Sequence, residues 1–176
     1  MDKRVYEILD KEVDRQSSTI ELIASENFAS ASVMELAGSV FTNKYAEGYP
    51  GARYYNGCEH MDSIEQLAID ELKKLYGCQF ANVQPHCGAN ANTAIYLAFL
   101  KPGDKILGMD WASGGHLSHG AKVNLSGKVY DSYFYGVNEE GWLDYESVSV
   151  LADKHKPKLI IAGASSYPRQ IEWSRF

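Results

Sequence analysis

The spacing of apolar residues along the chain predicts a series of helices. Apolar side chains recur at helical spacing, and in the first helix charged side chains occupy the opposite face. Ser63 and Gln66 have the spacing of a capping box at the start of the second helix, and Gly77 ends it. Asp144 is suited to cap the last helix, which Pro157 ends. The predicted helices cover residues 2–15, 63–76, 90–100 and 145–155.

Short apolar runs between these helices predict strands. The run Leu159–Ala162 is continuous, as expected of a strand that is buried on both faces. Strands that alternate with helices favour an α/β fold with a mainly parallel sheet and helices on its faces. The predicted strands are Phe80–Val83, Lys105–Met109, Lys128–Phe134 and Leu159–Ala162.

Residues 17–60 differ in character from the rest of the chain. They are rich in Gly, Tyr, Asn and Ser and show weak periodicity. An irregular segment of this length in an ordered domain is usually functional or docks onto a partner. We therefore predict an N-terminal helix and irregular arm over residues 1–60. Residues 61–176 are predicted to be the first part of a truncated α/β domain.

The composition is that of a globular protein without a nucleic-acid or membrane partner. Of the 176 residues, 45% are hydrophobic and 23% are charged, and the net charge is −6. No stretch approaches the ~20 apolar residues of a membrane span, and the first residues lack the apolar core of a secretory signal. Three cysteines without Cys-x-x-Cys spacing predict a cytoplasmic location, and they favour neither a disulfide framework nor a metal site.

Two polar turns are candidate sites because each adjoins a predicted strand. Gly88 precedes a helix whose first amides are able to attract a phosphate; the alternative is a tight turn without a ligand. The loop at residues 111–120 follows a predicted parallel strand, the usual place for ligands in α/β proteins. Its His116 and His119 have the chemistry for ring stacking or proton transfer. A purely structural turn is the alternative for this loop as well.

The segment at residues 42–58 is a further candidate because it combines glycines with tyrosines and charged side chains. Glu47, Lys44 and Arg53 lie in it among several tyrosines. Such residues are able to bind an anionic substrate and to transfer protons. A solvated loop with tyrosines packed at its base is the alternative, and the residue types by themselves leave both open.

Several of these segments resemble successive motifs of the serine hydroxymethyltransferase family. They occur in the order and at the spacing of that family, and the resemblance covers the whole chain. Members of the family are more than twice as long, so the resemblance implies the N-terminal part of a longer protein. The segments are Glu21–Asn27, Thr42–Cys58, Ala81–His86 and Gly114–Gly120.

The resemblance implies a pyridoxal-phosphate-dependent transferase of fold type I, which is the aspartate-aminotransferase-like fold. Enzymes of this family interconvert serine and tetrahydrofolate with glycine and 5,10-methylenetetrahydrofolate. The cofactor is the electron sink, and the protein supplies orientation and electrostatics. The resemblance also implies a cytoplasmic homodimer or dimer of dimers.

By the same resemblance, the tyrosine-rich segment supplies the catalytic side chains. Glu47 is expected to be the principal acid–base group, because a carboxyl in a partly dry pocket is able to carry a proton near neutral pH. Tyr45 is expected beside the cofactor phosphate and the substrate of a neighbouring subunit. Tyr55, with Tyr54 beside it, is expected to hydrogen-bond in the substrate and folate region. Ser25 is expected to contact the amino-acid substrate.

The resemblance assigns the cofactor to the two polar turns. Cys87, Gly88 and Ala89 are expected to cradle the phosphate, His116 to stack on the pyridine ring, and Ser165 to hydrogen-bond the phenolic oxygen of the cofactor. The residues expected to line the folate site are Trp111, Gly115, His116 and Leu117.

The sequence departs from the usual family pattern at several of these positions. Cys87 and Ala89 stand where the family often has serines, so two hydroxyl donors to the phosphate are missing. Asn90 replaces a usual glutamine and Ser113 a usual histidine. Trp111 stands where an aliphatic residue is common in the folate site.

The 176 residues lack a Thr/Ser-rich His-Lys motif, which in the family contains the lysine that forms a Schiff base with the cofactor. The resemblance therefore implies that the chain by itself is inactive. A non-catalytic chain that serves as a weak ligand-binding or dimerisation module is the alternative to the N-terminal part of an active enzyme.

Overall fold

A computed structural model describes residues 2–176. These residues form two compact units. One unit contains residues 2–27 and 100–176, and the other contains residues 28–99. The helices are α1 (Lys3–Ser18), α2 (Ala31–Ala37), α3 (Glu59–Tyr76), α4 (Gly88–Phe99), α5 (Leu125–Val129) and α6 (Tyr145–His155). The strands are β1 (Gly48–Tyr49), β2 (Ala52–Arg53), β3 (Lys105–Met109), β4 (Asp131–Tyr135) and β5 (Leu159–Ile161).

The first unit is built on a three-stranded sheet with the order β4–β3–β5. Both strand pairs are parallel, and Ile106 on β3 lies opposite Ser132 on β4 and Leu159 on β5. The prediction of an α/β fold with a parallel sheet is therefore confirmed. The strand β3 has the bounds that the sequence predicts, because its apolar run is short and begins directly after the turn at residues 101–104.

The core of this unit lies on the central strand. Leu107 and Met109 on β3 are fully buried and pack with Tyr135, Leu143 and Val148. The edge strand β5 is only half-buried along its length. The expectation that Leu159–Ala162 is buried on both faces is therefore wrong for β5, because the described residues cover its faces only in part. Full burial belongs to β3 instead.

Helix α6 follows its prediction closely. Asp144 caps it, with Oδ1 accepting a hydrogen bond of 2.9 Å from the amide of Ser147. Leu143 and Val148, which flank this cap, both lie in the core cluster and fix the helix against the sheet. The helix ends at His155, before Pro157.

Two predicted strands need correction. Lys128 and Val129 belong to helix α5, whose cap Asn124 accepts a hydrogen bond from the amide of Ser126, so β4 begins only at Asp131. Phe80–Val83 forms no strand, and its segment pairs with none of the described strands. A short apolar run becomes a strand only where another strand accepts its backbone hydrogen bonds.

In the second unit, α3 begins four residues earlier than predicted. Cys58 occupies the cap position without a side-chain capping hydrogen bond, and the Ser63 hydroxyl donates to the Glu59 carbonyl one turn back. The expected capping box at Ser63 is therefore wrong, because this residue already lies inside the helix. The helix ends at Tyr76, before Gly77, as predicted.

The arm is more regular than its composition predicts. Residues 17–60 contain α2 and a short antiparallel hairpin formed by β1 and β2. The first helix is confirmed, but no residue of α1 is buried, and Ile8 and Leu9 are more than half exposed. A domain boundary at residue 60 stays a prediction. Within residues 2–176, no helix combines the length and the apolar composition needed to cross a membrane.

Candidate functional site

The carboxyl end of the sheet brings together two loops that contain candidate residues. The loop at residues 110–120 follows β3, and the loop with Ser165 follows β5. The Gly114 carbonyl accepts hydrogen bonds from the amides of Ser165, at 2.8 Å, and Ser166, at 3.0 Å. Ligands in parallel α/β sheets bind at this edge. The structure therefore joins the region of His116 to that of Ser165, which are separated in the sequence.

Close packing at Gly115 fixes the course of the first loop. A Cβ atom at this position would lie 2.0 Å from the carbonyl oxygen of Met109, so a side chain does not fit. The Gly115 amide donates to the Asp110 carbonyl at 2.9 Å, which turns the chain sharply after β3. This turn places the following residue, His116, at the edge of the sheet.

His116 is exposed, and its ring is held by the residues that follow it. Its Nδ1 accepts a hydrogen bond of 3.1 Å from the Ser118 amide and lies 2.8 Å from the Ser118 hydroxyl. The amide of His116 in turn donates to Nδ1 of His119 at 3.3 Å. An oriented, accessible imidazole is able to stack on a planar ligand. This arrangement suits the ring-binding role that the sequence predicts for His116.

His119 has a different environment, because it is buried. Burial, and secondly the nearby His116, lower the pKa of His119 below its ordinary value. A neutral His119 leaves Nδ1 free to accept from the backbone, which keeps the short helical turn Leu117–His119 in place. We therefore assign His119 to the support of the loop rather than to its chemistry. Among the described residues, no group of three His, Cys, Asp or Glu side chains is placed to hold a metal ion.

The predicted folate-lining residues share this loop but differ in accessibility. Trp111 is 69% exposed, and Leu117 is also accessible to solvent. Gly115 is buried. Trp111 and Leu117 thus offer apolar surface next to His116, whereas Gly115 contributes only through the turn of the backbone.

The predicted catalytic residues lie in the second unit, on and around the β1–β2 hairpin. Tyr45 and Tyr55 face each other edge to face, with ring centroids 6.4 Å apart. Both tyrosines are at least half exposed, and Tyr54 and Glu47 are exposed as well. The carbonyl of Glu47 accepts a hydrogen bond of 3.1 Å from the amide of Tyr54. The structure thus brings the rings of Tyr45 and Tyr55 together and the backbone of Glu47 next to that of Tyr54 within this unit.

Arg53 does not take the role that its residue type suggests. The residue types in this loop leave open whether a cationic side chain there binds an anionic substrate. In the structure the guanidinium is nearly inaccessible and is held by two carboxylates, those of Asp62 and Glu65. These interactions raise the pKa of Arg53, the contact with Glu65 most and that with Asp62 next. Sequence reasoning missed this pairing, because nothing in the spacing shows that α3 packs against the hairpin.

The turn before α4 offers backbone donors to an anion. Gly88 is the first residue of the helix, and the space in front of its Cα is open. The carbonyl and Sγ of Cys87 accept from the amides of Ala91 and Asn90, whereas within residues 2–176 the amides of Gly88 and Ala89 have no acceptor. Unpaired amides at a helix N-terminus suit a phosphate group. This observation agrees with a phosphate site at residues 87–89 despite the missing hydroxyls.

Ser25 lies in the first unit, in an exposed stretch that follows α1. The Glu21 carboxylate accepts from the amide of Ile23 at 2.8 Å, and this hydrogen bond lowers the pKa of Glu21. The pKa of the neighbouring Glu26 is raised, mainly by its hydrogen bond with Glu21.

The candidate residues are distributed over both units. His116, Gly115 and Ser165 are close together in one, and Glu47, Tyr45 and Tyr55 are close together in the other.

Comparison with known proteins accounts for the whole chain. The family model described as serine hydroxymethyltransferase matches residues 1–176. The chain is 64% identical over 175 residues to a serine hydroxymethyltransferase of a Nitratiruptor species. It is 60% identical to that of Campylobacter hominis and 58% identical to that of Campylobacter fetus subsp. fetus. Each match covers 99% of this chain and 42% of the relative. The chain therefore belongs to the serine hydroxymethyltransferase family.

Proposed function

We propose that these residues form the N-terminal part of a pyridoxal-phosphate-dependent hydroxymethyltransferase of fold type I. It interconverts serine and tetrahydrofolate with glycine and 5,10-methylenetetrahydrofolate. The observation that carries the proposal is the match to the family over residues 1–176, with identities of up to 64% to the relatives named above. The parallel sheet, with His116 and Ser165 at its carboxyl end, supports the fold-type assignment.

The residues of each unit suit a different part of the proposed cofactor. The open amides of Gly88 and Ala89, together with Cys87, would hold the phosphate, where two hydrogen bonds and the helix dipole favour negative charge. His116 would stack on the ring, and Ser165 would hydrogen-bond its phenolic oxygen. When bound, pyridoxal phosphate supplies the electron sink for bond changes at the amino-acid α-carbon.

The side chains of the hairpin unit would handle the substrate and its protons. We assign to Glu47 the transfer of a proton at the hydroxymethyl group of serine, because its carboxylate is accessible while its backbone is fixed. Tyr45 and Tyr55 would orient the substrate through their hydroxyls, with Tyr54 beside them. Ser25 would contact the amino acid. Trp111, Gly115 and Leu117 would border the folate.

We also propose that the protein acts as a homodimer, or a dimer of dimers, in the cytoplasm. The apolar stripe of α1 is exposed within the described chain. A second copy of the protein would cover this stripe in the dimer. In this arrangement Tyr45 would reach the active site of the neighbouring subunit.

A hybrid enzyme tests the proposed activity. In it, this chain replaces the matching 175 residues of the Nitratiruptor relative, which supplies the remaining length. We expect tetrahydrofolate-dependent serine cleavage by the hybrid and none by the 176-residue chain alone. Glu47→Gln should lower kcat by about 10²–10⁴-fold, the usual contribution of a general acid or base, with a smaller change in the KM for serine.

The matched control is Glu35→Gln, the same chemical change at an exposed position of α2 in the same unit. It should leave both kinetic parameters unchanged. A folded hybrid that binds the cofactor but cleaves no serine would contradict the proposed function. Activity of the chain alone would contradict the expectation that it needs the remaining length. An active hybrid that is insensitive to Glu47→Gln would remove Glu47 from the proton-transfer role.

A further inference from the structure

Arg53 is a charged side chain of the hairpin region that is almost fully enclosed. Its side chain is 5% exposed, although it lies on the second strand of a two-stranded hairpin. Nε donates to Oδ1 of Asp62 at 2.7 Å, and Nη2 donates to Oε2 of Glu65 at 2.6 Å. Both carboxylates belong to α3. Arg53 therefore attaches the hairpin to a long helix through two charge-assisted hydrogen bonds.

The remaining guanidinium nitrogen, Nη1, reaches the backbone on both sides of Glu47. Nη1 donates to the carbonyl of Ala46 at 2.6 Å and to the carbonyl of Gly48 at 3.0 Å. The carbonyl of Glu47 itself is bound by the amide of Tyr54. Three consecutive carbonyls are thus fixed by residues 53 and 54. The carboxylate of Glu47 stays accessible while its backbone is held in place.

Neighbouring contacts strengthen this arrangement. Gly48 has a φ of +99°, and a Cβ atom there would lie 2.3 Å from the Ala52 carbonyl, so the hairpin closes only around a glycine. Gln84 donates to the Gly48 carbonyl and to Oε1 of Glu65, each at 2.8 Å. The Gly51 amide donates to Oδ2 of Asp62 at 2.9 Å, and this bond, followed by that from Arg53, lowers the pKa of Asp62.

We propose that Arg53 is a positioning residue that holds the backbone of Glu47 and so aims its carboxylate at the reacting group. The inference rests on the proposed function, in which Glu47 transfers a proton. Direct binding of a substrate anion by Arg53 does not fit, because its side chain is only 5% exposed and each guanidinium nitrogen already donates to an acceptor inside the unit. Lysine can replace it only in part, since a single ammonium group keeps the charge but lacks the planar fork that reaches four acceptors.

The first test compares Arg53→Gln and Arg53→Lys in the hybrid enzyme. A displacement of about 1 Å at a reacting group costs on the order of 10²-fold in rate, so we expect Arg53→Gln to lower kcat by about that factor. The KM for serine should change less, and Arg53→Lys should be intermediate. The control is Lys74→Gln, which removes an exposed ion pair with Glu71 from the same helix and should change neither parameter.

The second test separates positioning from a general loss of structure. If Arg53 acts through Glu47, Arg53→Gln should lower kcat in the wild-type background but by less than about twofold in a Glu47→Gln background. Losses that multiply in the double variant would overturn the inference, because they would show that Arg53 acts independently of Glu47. If Glu47→Gln alone has no effect on kcat, the proposed role of Glu47 fails first, and the positioning role falls with it.

A milder variant covers the case in which Arg53→Gln does not fold. Gln84→Met keeps the length of the side chain but removes the donor to the Gly48 carbonyl and to Oε1 of Glu65, while the Arg53 side chain itself is unchanged. We expect a fall in kcat of several-fold that disappears in the Glu47→Gln background. An unchanged kcat in Gln84→Met, in a hybrid with unaltered cofactor absorbance, would contradict the idea that these contacts aim Glu47.

Discussion

Helices α3 and α6 carry similar patterns but reach opposite outcomes. Each has an apolar stripe and charged residues on the other face. Val148 on α6 is 4% exposed, since it packs against the sheet. On the longer α3 no residue is buried, and Leu67 and Leu75 are 55% and 76% exposed. An apolar stripe thus indicates that a helix needs a partner surface, and it does not identify that surface.

The two units differ in the same way. The sheet unit has a continuous apolar core around β3, with Leu107 and Met109 fully buried. Among the described residues 28–99, the buried hydrophobic side chains are only Cys58 and Tyr96. The hairpin of that unit is held instead by the hydrogen bonds of Arg53. Apolar packing stabilises one unit, whereas charge-assisted hydrogen bonds organise the other.

The largest expected effect is on the free energy of unfolding, when a leucine in the core of the sheet unit is shortened. The same change in the other unit serves as the comparison. Leu107→Ala should lower the free energy of unfolding by about 2–5 kcal/mol, because it leaves a cavity in a closed core. Leu75→Ala makes the same chemical change on the exposed stripe of α3 and should cost less than about 0.5 kcal/mol. Urea unfolding of the 176-residue chain, followed by circular dichroism, measures both. Equal losses would mean that Leu75 is covered in solution.

An intermediate effect, on self-association, is expected from substitutions in the apolar stripe of α1, which is also exposed within the described chain. Ile8→Gln with Leu9→Gln should weaken self-association of the chain by roughly tenfold, since partial burial of two large aliphatic side chains contributes about 1.5 kcal/mol or more. Light scattering over a dilution series measures the effect. Lys11→Gln on the same helix is the control, and an equal effect of this control would show that association does not depend on the apolar stripe.

The smallest expected effect is a pH dependence of the free energy of unfolding, which arises from His119 in the sheet unit. Because burial lowers the pKa of His119, the folded state resists its protonation. Its contribution to stability is complete above the unfolded pKa of about 6.5 and is lost as the pH falls through the lower pKa of the folded state. Wild type should therefore lose more stability between about pH 7.5 and 5 than His119→Gln, in which the side-chain carbonyl is still able to accept from the His116 amide. Parallel pH profiles of urea midpoints would contradict this assignment.

Local signals in the sequence predicted the elements whose partners are close in the chain. The run Lys105–Met109 and the cap at Asp144 were predicted correctly, because an apolar run bounded by a turn and a side-chain cap act within a few residues. Lys128 and Val129 were misassigned because the short helix capped by Asn124 outweighs their strand-like pattern. The family motifs identified the candidate residues, but their roles stay proposals.

The sequence by itself determined the α/β class, the family and the position of most helices, because periodicity, caps and motifs are encoded residue by residue. Tertiary structure decided which apolar stripes are buried, since burial depends on whether a facing surface exists. It also decided the partners of Arg53, which are nine and twelve residues away on a helix. No local pattern encodes such a contact. It follows from packing the hairpin against α3, which turns a cation in a polar loop into the support of Glu47.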